Sequence, residues 1–160
     1  MNKDSYKSVL ALPRSHSKPL FYLSFLSLFS GLFALKRGYW DLALVPLGVG
    51  INSLNYWRHP DYSWRRYVDM VWVAVSCSYQ CIRAIEAENR VFFFAILGVS
   101  ISAFYPSLIY HREKRLTIST ILHSIVHIGG NISNLVLYRG WLPPLSSAWF
   151  LLLINRCLVK

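Results

Sequence analysis

The apolar residues of this 160-residue chain fall into blocks, each close to the length of a membrane crossing and bounded by basic or aromatic residues. The blocks cover about 19–35, 41–57, 67–84, 91–110 and 116–138, with a shorter sixth over 145–158. A helix rises 1.5 Å per residue, so roughly 20 apolar residues span the hydrocarbon of a bilayer. Inside hydrocarbon each backbone amide must be satisfied within the protein, which leaves helices as the solution for blocks of this length. The pattern predicts an all-α fold, a polytopic transmembrane helical bundle of five to six spans. Residues 1–18 read as a cytosolic polar tail and 19–160 as a single transmembrane helical domain. Charged residues make up 15% of the chain, against about 25% in soluble domains.

The formal net charge is +10. In a soluble domain such a charge would suggest nucleic acid. Here the basic residues stand at the ends of apolar blocks, where they orient helices and meet anionic headgroups, and nucleic acid is excluded as a partner. With six spans, Lys36, Arg37, Arg83, Arg90 and Arg139 share one side, and the remaining 12 of the 17 Lys and Arg residues share the other. Basic residues favour the cytosolic side, so both termini are expected there. The three cysteines, Cys77, Cys81 and Cys157, all lie in apolar blocks and suggest neither a disulfide framework nor a zinc ribbon. Packing is their default role.

Chemistry concentrates in the fifth block, at His123-Ser-Ile-Val-His127 followed by Ile128-Gly-Gly-Asn131. Residues four apart share a helix face, so both imidazoles point the same way within an apolar run. Ionisable side chains in such runs are rare and usually functional. Asn131 and Asn134 continue the stripe. The second block ends at His59, beside Pro60, and the third opens near Asp69. At 1.5 Å per residue, His123 and His127 lie roughly 10–17 Å into their helix. All four groups therefore fall toward the same leaflet. Three imidazoles could hold zinc and leave a fourth position for water, whose pKa the metal would bring near neutrality. A carboxylate such as Asp69 could take that water's proton. The bland alternatives are that Asp69 only complements a helix N-terminus and that the histidines hydrogen-bond across helices.

His59 about ten residues before Asp69 at one helix junction, then His-x-x-x-His followed by glycine on a later span, resembles the CREST superfamily. That group includes the alkaline ceramidases and the progestin and adipoQ receptors. The resemblance implies a zinc-dependent membrane hydrolase with Zn(2+) as cofactor. It implies His59, His123 and His127 as metal ligands and Asp69 as the catalytic residue that orients zinc-bound water. It also implies a serine one turn before the first histidine. Here Asn55 stands one turn before His59, and Ser53 lies six residues before it.

Three functions follow from these residues. The first is a zinc-dependent hydrolase acting on a lipid amide or ester, in a multi-pass protein of an endomembrane. Asp69 would then be general base, and Asn55, Asn131 or Asn134 would bind the oxyanion or headgroup. The second is a non-enzymatic scaffold or assembly protein whose intramembrane polar residues are interhelical glue. The third, a channel or proton relay, lacks a second intramembrane carboxylate.

Overall fold

The computed structural model describes residues 11–145; the expected sixth span and Cys157 lie outside them. The described chain is helical, without a β-strand. Seven α-helices form five rods. α1 (Arg14–Leu23) continues into α2 (Phe25–Lys36) across Ser24, and α5 (Arg90–Ser102) continues into α6 (Phe104–Arg112) across Ala103. α3 (Trp40–Trp57), α4 (Trp64–Ala84) and α7 (Leu116–Arg139) are single rods. Two starts differ from the sequence reading. α1 begins at Arg14, directly after Pro13, so residues 14–18 of the expected tail are helical. α4 begins at Trp64, after extended Ser63, so Asp69 sits in its second turn rather than its first.

The interruption at Ala103 has a local cause. Pro106 has no N–H to give the Ser102 carbonyl, and its ring crowds that turn. Pro46 creates the same deficit inside α3, at Leu42. There the Tyr138 hydroxyl of α7 lies 3.4 Å from the Leu42 carbonyl oxygen and 3.2 Å from Gln80 Oε1, sharing its proton between them. A neighbouring helix thus supplies the donor that proline removes.

Two rods, Arg14–Lys36 and Arg90–Arg112, are long and apolar enough to cross a membrane. α3, α4 and α7 have 18, 21 and 24 residues, sufficient in length, but polar side chains lower their apolar character. The expected five to six spans therefore divide into two that meet both criteria and three that meet length alone.

Leu20, Leu42, Phe93, Leu137 and Tyr138 are buried, but the interior holds far more small polar side chains, and the surface more large apolar ones, than in a typical water-soluble domain. Here serines 17, 24, 27, 30, 53, 76, 100, 107, 119 and 133 are buried, while Phe29, Leu32, Val71, Phe92, Val99 and Ile121 are exposed. Small residues at the contacts let helix backbones come close, as in membrane bundles. Most of these hydroxyls return to their own helix. Ser24 donates to the Leu20 carbonyl at 2.8 Å, Ser100 to Ile96 at 2.7 Å and Ser133 to Gly130 at 2.7 Å. A hydroxyl paired this way needs no partner from the next helix.

α2 and α3 cross through two glycines. A Cβ on Gly31 would stand 2.6 Å from Leu47 Cγ, and one on Gly50 would stand 3.1 Å from the Leu28 backbone nitrogen. From there the rods follow a crescent. α4 packs on α3, α3 on α1 and α2, these on α7, and α7 on α5 and α6. Among the described residues, the two ends of the crescent, α4 and α5, touch only slightly. A polar node closes the far end of the α3–α4 pair. Arg83 Nε donates to Asp41 Oδ2 at 3.0 Å, Tyr79 OH to the same oxygen at 2.8 Å, and Arg83 Nη2 to the Pro143 carbonyl at 3.0 Å.

Gly50→Ala should cost about 1–3 kcal/mol, because its Cβ meets backbone that cannot give way cheaply. Gly98→Ala, in a helix interior with open space around the site, should be neutral or gain up to about 1 kcal/mol. Reversible unfolding in detergent micelles checks the pair. Equal effects at the two positions would mean that α2 and α3 do not pack through Gly50.

Candidate functional site

The concave side of the crescent holds a cavity of about 420 Å³, within the range of ligand pockets. Its polar lining comes mainly from α3 (Ser53), α4 (Asp69, Ser76, Gln80) and α7 (His123, His127, Asn131, Asn134), with Ser27 of α2 and Ser100 of α5. The first three are the helices whose polar content lowers their hydropathy. The rest of the wall is largely apolar, with Val49, Val73, Leu97, Ile101 and Phe104 among its residues.

Asp69 is 7% exposed. Its Oδ1 accepts a 2.5 Å hydrogen bond from the Ser53 hydroxyl, which ties α4 to α3. That is its one hydrogen bond among the described residues, so it does not act as a cap on the helix N-terminus. A buried carboxylate needs such partners, because an unpaired polar atom away from water costs free energy. The second oxygen, Oδ2, has none.

His123 and His127 stack along α7 with ring centroids 5.3 Å apart. Both are partly exposed, and both line the cavity. The Trp57 ring stands edge-on to them, at 5.3 Å from His123 and 6.3 Å from His127. Phe104 flanks His123 at 6.0 Å. No imidazole nitrogen of the pair makes a hydrogen bond among the described residues, and the buried Trp57 indole N–H is also without a partner.

The two asparagines of the stripe differ. Asn131 is fully engaged: its Oδ1 accepts from Ser30 at 2.9 Å, and its Nδ2 donates to Ser27 Oγ at 3.2 Å and to the His127 carbonyl at 2.8 Å. It joins α7 to α2 as interhelical glue. Asn134 lines the cavity with no side-chain hydrogen bond among the described residues. Asn55 contributes only its carbonyl, to Arg65.

His59 does not line the cavity. Its side chain is 41% exposed and its Nδ1 lies 3.9 Å from Asp61 Oδ2, in the loop between α3 and α4. Arg65 fixes that loop: Nη2 donates to Asp61 Oδ2 at 2.7 Å and to the His59 carbonyl at 3.1 Å. Among the described residues no three His, Cys, Asp or Glu side chains stand close enough to hold one metal ion. The side chains present therefore do not assemble the three-histidine centre that the resemblance implies. Asp69, His123 and His127 share one cavity, and His59 stays outside it.

Two residues at the site, Ser53 and Trp57, carry no motif signal of their own. Ser53 and Trp57 lie four residues apart, hence on one face of α3. The serine-then-histidine frame, started at Ser53 instead of Asn55, ends at Trp57. The ring beside the histidine pair is thus an indole, a hydrogen-bond donor that binds no metal. Comparison with protein-family models, with curated proteins and with solved structures returns no match for this chain.

The α3–α4 loop is held by a pH-dependent contact. The Ser63 hydroxyl, against the opposing effect of burial, and then the Arg65 guanidinium hold the Asp61 carboxyl below its ordinary value of 3.8. A depressed folded value stabilises the loop fully above the unfolded value, and the effect is lost as the pH falls through the folded one. Amide exchange over residues 58–66 should therefore accelerate on acidification below about 3.8. The step should be absent in Asp61→Asn; an unchanged step in that variant would assign it to another group.

Proposed function

We propose that this chain is a multi-pass integral membrane protein of at least five spans, whose intramembrane cavity binds the polar group of a lipid-soluble ligand. One observation carries the reading: Asp69 Oδ2, both imidazoles and Asn134 converge on one cavity with hydrogen-bonding capacity that the described residues leave unused. These atoms are open to the cavity rather than sealed in the packing, and ionisable side chains within membrane segments are rare and usually functional. The neutral imidazole offers one donor and one acceptor, Asn134 offers both, and a carboxylate accepts. The ligand that fits has donors and acceptors at one end and an aliphatic remainder for the apolar wall. A lipid amide or ester has that character.

The scaffold reading is supported at Asn131, Gln80 and Ser53, which do bridge helices. It gains no support at the histidines. Hydrolysis through zinc would require three protein ligands around one point, which no three of the described His, Cys, Asp or Glu side chains provide, so no step through a metal is assigned.

The histidines discriminate these readings. If they bind ligand, His127→Leu should leave stability unchanged or raise it by about 1 kcal/mol, since no hydrogen bond is lost and an unpaired polar group is removed. The variant should lose any lipid that co-purifies with the wild type, as read by mass spectrometry of an organic extract. A clear loss of stability with no change in lipid content would identify the imidazoles as glue. Zinc by plasma emission should come out well below one ion per chain; one ion per chain would return the hydrolase reading.

For topology, the basic-residue asymmetry supports a cytosolic N-terminal end, and five crossings carry the chain to the opposite side at Arg139. In a cysteine-free background, Lys36→Cys should react with an impermeant thiol reagent from outside. Glu113→Cys should react only after permeabilisation. Labelling of both from one side would refute five crossings.

A further inference from the structure

Resting on the reading of the cavity as a ligand site, we infer that its ligand is a lipid of the surrounding bilayer, whose aliphatic chain passes sideways between α4 and α5. The crescent has one seam where its helices are not zipped together. α4 packs on α3 and α5 packs on α7, yet among the described residues α4 and α5 touch only slightly. The walls of the cavity at that seam are Met70, Val73 and Cys77 on α4, and Leu97, Ile101 and Phe104 around the α5–α6 junction. On α4 the spacings are three and four residues, one helical stripe; on the other wall they are four and three. Met70 is 50% exposed, Val73 42% and Ile101 50%, so the stripes reach the outer surface of the bundle as well as the cavity.

The polar end lies deeper. Asp69 and the histidine pair line the same cavity from α4 and α7, where the aliphatic stripes give way to hydrogen-bonding groups. A chain of CH₂ groups gains nothing by leaving hydrocarbon for this wall, which is as apolar as lipid. It also loses nothing, so the headgroup's hydrogen bonds decide occupancy. A ligand from water would have to shed hydration to reach a wall made mainly of aliphatic side chains. The Pro106 discontinuity at Ala103 lies within this wall, beside Phe104, and gives α5 and α6 a place to adjust.

The test uses the full chain in phosphatidylcholine vesicles containing a phosphatidylcholine with a diazirine in its acyl chain. Photolysis and peptide mass spectrometry should give cross-links on the cavity-facing residues Cys77 and Leu97 as well as on the outward-facing Val71 and Phe92. Leu97→Trp, which narrows the seam, should lose the cross-links at Cys77 and keep those at Val71 and Phe92. A folded variant that keeps both sets overturns the route. Cross-links on Cys77 that appear only once residues 146–160 are removed also overturn it, since lipid would have no way in through the intact chain. The ligand site itself is read separately. In a chain with Cys81 and Cys157 replaced by serine, a charged methanethiosulfonate reaching Cys77 without acyl-chain cross-links there would mean a cavity open to water. The lateral route then fails while a polar ligand site stands. If neither reagent reaches Cys77, both the route and the ligand site fail.

Discussion

The structure depends on close helix contact through small side chains. Many large apolar residues point outward, and serine, glycine and alanine line most helix contacts. A few large side chains, Leu20, Leu42, Phe93, Leu137 and Tyr138, fill the remaining interior, so close packing and short hydrogen bonds hold the rods together. Gly31 and Gly50 set the α2–α3 distance, and Ser100, Ser119 and Ser133 keep the later contacts thin. The hydroxyls cost little because they return to carbonyls of their own helices or, for Ser119, to the Ser107 carbonyl of α6. Where a helix loses an internal bond, as at Leu42 above Pro46, a tyrosine from α7 makes up the deficit.

That interior is also what allows a cavity. Thin contacts join α4 to α3 and α5 to α7, but nothing among the described residues zips α4 to α5, and the crescent stays open on its concave side. Polar groups in that space fall into two kinds. Asn131, Ser53 and Gln80 are paired and join helices; His123, His127, Asn134 and one oxygen of Asp69 are not. The difference separates side chains that hold the bundle from side chains whose hydrogen-bonding groups open into the cavity. The polar lining also contributes to the lower hydropathy of α3, α4 and α7, where Ser53, Asp69, Gln80, His123, His127 and Asn134 face the cavity and Asp41 and Arg83 form the closing node.

Much of this arrangement can be read in the residues. Helical fold class follows from block length, and the discontinuity near Pro106 from the missing N–H. The juxtaposition of His123 with His127 follows from a four-residue spacing, and their shared depth with Asp69 from counting residues along each helix. His59 shows the limit of such counting. Its depth along the chain matches, but Arg65 holds its carbonyl in the loop and its ring lies exposed near Asp61, through contacts that no periodicity reveals. Trp57 was passed over for the complementary reason, since an aromatic residue near a helix end reads as an interface anchor.

The sequence alone determined which segments are helical, which side chains share a face, and that Asp69 and the histidine pair lie at comparable depths along their helices. Those properties depend on local geometry, 3.6 residues per turn and 1.5 Å of rise. Tertiary structure decided which polar groups are paired and which are not, because pairing depends on the rotation of each helix about its axis against its neighbours. Ser53 meets Asp69, and Trp57 rather than His59 meets the histidine pair. It also decided that the α4–α5 seam is the loose one among the described residues, since packing between helices far apart in sequence closes the other contacts and leaves this one slight.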